Sequence, residues 1–351
     1  MGVSRREFLG GVSAVAAGLP AVGLTEEKRK ADFIWAQLVH LGTNMWGNDG
    51  ITPGTVEDGE RVVSKTLLCD DGVWSRVIGG IAKSGADTVV IDLGEAVAYP
   101  SHPELAVKGS WSPEKLAAEI GKIRQLGLKP VPKLNFSTMH DQWLKIYNRM
   151  VGLLKYYEVC RDVIGDVCDI FGRPELFHIG MDGECMEQKR NFSGYGTFRD
   201  RKFWFQDVKF YAGELEKRGA RAWMWADSAD DWPEEYVAEC PKTILQSVAS
   251  YRNPFDVVKT ATVKPVLAAR RKTLKLLDDA GFETVLSGLG DQKNPESALS
   301  EFMAYSRSQN FKRVVGGIQT SWSFLLPGDK GEEANMEGVK RLKEAIKVWN
   351  A

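Results

Sequence analysis

Residues 112–136, SPEKLAAEIGKIRQLGLKPVPKLNF, place one helix and one strand in direct succession. Ser112 is a helix cap, Pro113 suits the first turn and Gly127 is a stop, so the amphipathic run between them predicts a helix. The β-rich run KPVPKLNF from Lys129 follows at once. Working outward, the same rhythm recurs. Further strand-like runs are FIWAQLVHLGTNMW from Phe33, DTVVIDLG from Asp87, LFHIGMD from Leu176, RAWMWAD from Arg221, TILQSVAS from Thr243, ETVLSGL from Glu283 and RVVGGIQTSW from Arg313. Helical patterns such as VLAARRKTLKLLDDAG and MEGVKRLKEAIKVWN lie between and after them. Alternating β and α elements imply a parallel sheet covered by helices. Eight such units in roughly 330 residues fit a single (β/α)8 TIM barrel of the α/β class. A doubly wound open sheet is the competing architecture, but no GxGxxG follows the first strand.

The segment 1–24, MGVSRREFLGGVSAVAAGLPAVGL, precedes this pattern. Arg5 and Arg6 stand before a mildly apolar Gly/Ala-rich stretch, and Ala21-Val22-Gly23 offers a small-x-small cleavage site. The segment resembles a bacterial twin-arginine export signal, which implies passage through the twin-arginine translocase to the periplasm or beyond. The barrel is then expected over 25–351, with no linker to divide it. No stretch is apolar for long enough to predict a membrane span. Lys and Arg number 46 against 47 Asp and Glu, with no basic stripe, so nucleic-acid binding is not expected. The five cysteines, Cys69, Cys160, Cys168, Cys185 and Cys240, form no CxxC pair and read mostly as buried thiols.

In a barrel of this kind function belongs at the C-terminal ends of the strands. Those ends are rich in polar and aromatic residues: Asn44 and Trp46, Asp92 and Glu95, Asn135 with His140 and Asp141, Trp225 with Asp227 and Asp230, Tyr251, and Gln319, Ser321 and Trp322. The sharpest signal is FHIGMDGE on the fourth strand. Residues two apart share a face of an extended chain, so His178, Gly180, Asp182 and Glu184 are expected on one side. Two carboxylates roughly 6 to 7 Å apart can divide the roles of acid and anion that glycoside hydrolysis needs.

His178-Ile-Gly180-Met-Asp182-Gly-Glu184 resembles the His-x-Gly-x-Asp-Glu motif that ends strand four in glycoside hydrolase family 20, the β-N-acetylhexosaminidases, with one glycine inserted. Similar strand-end segments are Pro132-Lys-Leu-Asn135 through His140, Trp223-Met-Trp225-Ala-Asp227, Leu245-Gln246-Ser247 and Gly317-Ile-Gln319-Thr-Ser-Trp322. The resemblance implies a glycan substrate and a retaining mechanism assisted by the substrate's own acetamido group. It makes Glu184 the proton donor and Asp182 the carboxylate that orients the acetamido group, with no cofactor.

Eleven tryptophans supply flat faces for sugar C–H surfaces. Trp46, Trp225 and Trp322 at strand ends, Trp143 and Trp232 in loops, and Tyr251 are expected to line a cleft with Asn135, His140, His178 and Asp227. Trp35, Trp74, Trp204 and Trp349 are expected to pack between strands and helices. Two other readings use the same fold. One is a metal-dependent sugar isomerase or epimerase built on Glu95, Asp182, Glu184 and His140. The other is a glycan-binding barrel without turnover.

Overall fold

Eight parallel strands follow one another around a closed barrel in sequence order, and the last is hydrogen-bonded back to the first. They are β1 (Ile34–His40), β2 (Thr88–Asp92), β3 (Lys129–Lys133), β4 (Leu176–His178), β5 (Arg221–Trp225), β6 (Leu245–Ser250), β7 (Thr284–Leu289) and β8 (Val314–Thr320). The computed structural model describes residues 33–46, 63–184, 197, 199–250, 263–289 and 298–350. The expected signal segment, Tyr251 and Cys185 lie outside them, as does the side chain of Trp46. Helices α1 (Asp71–Ser84), α2 (Pro113–Gln125), α3 (Leu154–Ile170), α4 (Arg201–Glu216), the short α5 (Ser228–Asp231) and α6 (Pro233–Glu239), α7 (Val263–Asp279), α8 (Ala298–Ser308) and α9 (Ala334–Asn350) alternate with the strands. The (β/α)8 barrel read from the sequence is the architecture observed. No described helix is long and apolar enough to cross a membrane.

Local chemistry sets the helix ends. Ser112 accepts a hydrogen bond from the Lys115 amide at 3.2 Å, Pro113 occupies the first turn of α2, and Gly127 turns the chain away at φ 82°. Leu116, Ile120 and Ile123 form the buried stripe of α2, each contributing roughly 1.5–3 kcal/mol of apolar transfer. Asp70 caps α1 through the Val73 amide at 2.8 Å, and Gly85 ends it at φ 93°.

Alternation along the strands separates two apolar layers. Ala36, Leu38, Val90, Val131, Trp223, Trp225, Leu245, Val285 and Ile318 fill the barrel, while a larger cluster packs between strands and helices. Continuing the inward period of two from Leu38, Val90 and Val131 leads to His40, Asp92 and Lys133 at the C-terminal end. All three are fully buried. Lys133 donates to Asp92, and His40 Nδ1 lies 3.3 Å from the same carboxylate. Burial alone would raise the Asp92 pKa, but Lys133 and His40 reverse this and hold it below the ordinary range.

Strand four departs from the sequence reading. Its ladder ends at His178, because Gly180 and Met181 take left-handed conformations at φ 70° and 62°. The expected common face of His178, Gly180, Asp182 and Glu184 therefore stops at the strand, since period-two alternation holds only for extended backbone.

Candidate active site

The turn after β4 delivers Asp182 to the loop that follows β3. Asn135 Nδ2 donates to Asp182 Oδ2 at 2.7 Å, and His140 Nε2 lies 3.8 Å from Asp182 Oδ1. Ser137 donates through its hydroxyl to the Asp182 carbonyl at 3.0 Å. Asn135 is itself oriented from two sides: the Ser137 amide donates to its Oδ1 at 3.1 Å, and the Trp143 indole donates to its carbonyl at 2.7 Å. The Asp182 and His140 side chains keep 15% and 17% of their surface exposed, so this cluster at the barrel's C-terminal end is partly accessible.

Glu184 sits differently. Its Oε1 accepts from the Thr138 amide at 2.9 Å and lies 3.7 Å from Arg199 Nη1, and both side chains of that ion pair have no exposed surface. The two carboxylates of the motif thus reach the same loop, one toward the mouth and one into the protein.

Asp227 follows β5, just before α5, across the same turn. A β-carbon on Gly183 would lie 3.3 Å from the Asp227 β-carbon, so the Asp182 turn packs directly on it. Arg270 of α7 bridges Asp227 at 2.7 Å and Asp230 at 2.9 Å. Burial raises the Asp230 pKa, partly offset by Arg270.

The floor beneath is aromatic. His178 is fully buried with its ring 4.9 Å from that of Trp225. Its Nδ1 accepts from the Gly180 amide at 3.0 Å, and burial, reinforced by Lys133, holds the imidazole neutral well below its usual pKa. Trp225 is buried too, and its ring centre lies 6.1 Å from half-buried Trp322, which in turn lies 5.2 Å from His40. Trp225 and His178 are therefore a floor, and of these three rings Trp322 is the one with surface left to offer. Trp143 is fully buried with its N–H committed to Asn135, and Trp232 packs on Trp204 and Phe205. These two loop tryptophans serve packing. Trp35, Trp74 and Trp204 are buried as expected, and Trp349 stacks on Phe33 at 4.9 Å.

The set Glu95, Asp182, Glu184 and His140 is not gathered around one point. Glu95 Oε1 accepts from the Thr43 and Asn44 amides at 2.8 and 3.0 Å, and Glu184 faces Arg199. Among the described residues no group of three or more His, Cys, Asp or Glu is placed to hold a metal ion. Lys133, Thr138 and Arg199 were not anticipated as site residues. Lys133 alone was readable, as a charge at an inward position of β3; Arg199 carries no local signal.

Neither a family model nor a curated protein matches the chain. Solved structures similar in fold include a β-N-acetylhexosaminidase from Bacteroides fragilis at 13% identity, covering 87% of this chain and 65% of that one, with a TM-score of 0.54. A GH20 exo-β-N-acetylglucosaminidase from Vibrio harveyi shares 13% identity over 91% of this chain and 58% of its own, with a TM-score of 0.55. The N-acetyl-β-hexosaminidase of Streptomyces plicatus, solved with thio-NAglucal, shares 12% over 88% and 63%, with a TM-score of 0.56. The chain spans about three fifths of the length of these proteins. At such identities the likeness is one of fold.

Proposed function

We propose that the chain is a glycoside hydrolase acting on a glycan, with Asp182 as the carboxylate that meets the sugar. The observation that carries this reading is the Asn135–Asp182–His140 cluster at the C-terminal mouth, oriented from below and partly open. A carboxylate fixed by an amide N–H is suited to orient a polar substituent of a sugar or to steady charge at its reacting carbon. Acid–base chemistry needs a second carboxylate with access, and Asp227, 25% exposed across Gly183, is the neighbour we assign to that place. Trp322 supplies the apolar face. The hexosaminidase fold of the neighbours supports a sugar substrate, and acetamido assistance belongs to this proposal as the form the resemblance favours. The Arg5–Arg6 pair supports export through the twin-arginine translocase to the periplasm or medium.

The test is release of nitrophenol from α- and β-aryl glycosides, with and without 2-acetamido groups, in chelator, by the wild type and by Asp182→Asn and Asp227→Asn. Chelator-resistant turnover that falls 10²–10⁴-fold in each variant is expected. Turnover untouched by both substitutions overturns the assignment. Export is checked separately by locating the full chain with Arg5 and Arg6 both changed to Lys.

A second reading, glycan binding without turnover, is favoured by one observation: the carboxylate that the resemblance makes the proton donor, Glu184, has no exposed surface. It predicts sugar affinity in the wild type, lost in Asp182→Asn, with no product from any glycoside.

A further inference from the structure

Arg199 enters the fold immediately before α4, and its guanidinium is wholly enclosed. A buried cation requires close carboxylates and filled donors. Arg199 has both. Its Nε lies 3.1 Å from Asp207 Oδ2, its Nη2 donates to the Phe136 carbonyl at 2.8 Å and to the Tyr156 hydroxyl at 3.4 Å, and its Nη1 faces Glu184 Oε1 at 3.7 Å. Asp207, on α4, is fixed in turn by the Tyr157 hydroxyl at 2.6 Å. Phe136 belongs to the loop after β3, and Glu184 to the turn after β4. One rigid fork therefore ties both loops to the helix layer.

The same fork touches the turn at its strained point. Met181, a non-glycine residue at φ 62°, places its sulfur 3.6 Å from Arg199 Nη1. Left-handed backbone at such a residue persists only where its surroundings hold it. The next residue is Asp182.

We propose that Glu184 is a positioning residue. It is one carboxylate end of a buried Asp207–Arg199–Glu184 strut that clamps the β4 turn onto the β3 loop and so sets Asp182 against Asn135 and His140. Glu184 acts through Arg199 and the Thr138 amide and does not touch the sugar. The inference rests on the reading of Asp182 as the sugar-facing carboxylate.

The experiment uses the full barrel with Glu184→Gln, Arg199→Lys and the double variant, with Arg199→Met as an added probe where it folds. Unfolding midpoints, affinity for sugar by tryptophan quenching, and kinetics on aryl glycosides of graded leaving-group acidity are measured. The strut predicts that the two single changes are coupled in stability, the double variant losing clearly less than the sum. It also predicts that kcat per folded molecule drops about tenfold in Glu184→Gln for every leaving group, with KM nearly unchanged and the pH profile retained. A loss in Glu184→Gln that steepens for poor leaving groups and removes one limb of the pH profile makes Glu184 the proton donor and overturns the proposal. Additive stabilities, or kcat per folded molecule unchanged, overturn it as well. If the wild type turns over no glycoside, hydrolysis fails as the reading. The strut then stands or falls on the stability coupling and on whether Glu184→Gln weakens the Asp182-dependent sugar affinity.

Discussion

Gly180 packs so closely on Asn135 that a β-carbon at position 180 would lie 2.1 Å from the Asn135 amide oxygen and 2.7 Å from its α-carbon. The residue is also left-handed, at φ 70°. Its hydrogen atom is therefore what lets the Asn135 side chain reach Asp182 at all. Gly180→Ala combines strained backbone with overpacking against main chain, together about 2–4 kcal/mol. We expect a melting midpoint lowered accordingly and sugar affinity lost even in the fraction that folds. A variant with unchanged affinity would mean that the Asn135–Asp182 contact is not needed for binding.

Lys133 and Asp92 form a fully buried ion pair inside the barrel, with His40 beside them. Removing one partner leaves a charge stranded in an apolar interior, at a cost of roughly 3–5 kcal/mol. Lys133→Met is expected to show that loss in a denaturant titration. Lys133→Met with Asp92→Asn removes both charges and is expected to recover much of it. If the double variant is the less stable of the two, the loss in Lys133→Met does not come from a stranded Asp92 charge.

The barrel was legible because each βα unit is short and locally coded: Ser112, Pro113 and Gly127 delimit α2 by chemistry that needs no tertiary context. Asp182 and Asn135 were legible for a related reason, since both sit just past strand ends that converge in any barrel of this kind. The direction of Glu184 was not. It depends on Met181 adopting a left-handed conformation that its residue type does not announce, and on Arg199, which reaches it only through the folded helix layer. The tryptophans show the same division. Trp143 in a loop looks free in sequence, yet its indole N–H is used to orient Asn135.

Trp322 is the half-buried member of the chain of rings Trp225–Trp322–His40. If it carries the apolar face of a sugar, Trp322→Ala is expected to weaken binding about tenfold, or about 1.4 kcal/mol, with little change in stability. Titration of intrinsic fluorescence with sugar reads this directly. Equal affinity in wild type and variant would remove Trp322 from the site.

Glu95 gives a pH signature of opposite sign to the usual carboxylate. Burial, with a smaller push from Asp92, raises its pKa from 4.5 to about 7, although the Thr43 and Asn44 amides act against this. Between those values the folded chain binds a proton that the unfolded chain has released. Its contribution therefore favours the fold at low pH and is lost as pH rises from about 4.5 to 7, on the order of 3 kcal/mol in all. Glu95→Gln keeps an acceptor for the two amides and cannot ionise. Glu95→Gln leaves Asp92 and His178 in place, so the difference between the two reports chiefly on Glu95. We expect wild type and Glu95→Gln to be of similar stability at pH 5 and the variant to be the more stable at pH 8, measured by urea unfolding. Parallel stability curves across that range would show that Glu95 ionises freely in the fold. The anchorage of Thr43 and Asn44 would then not vary with pH.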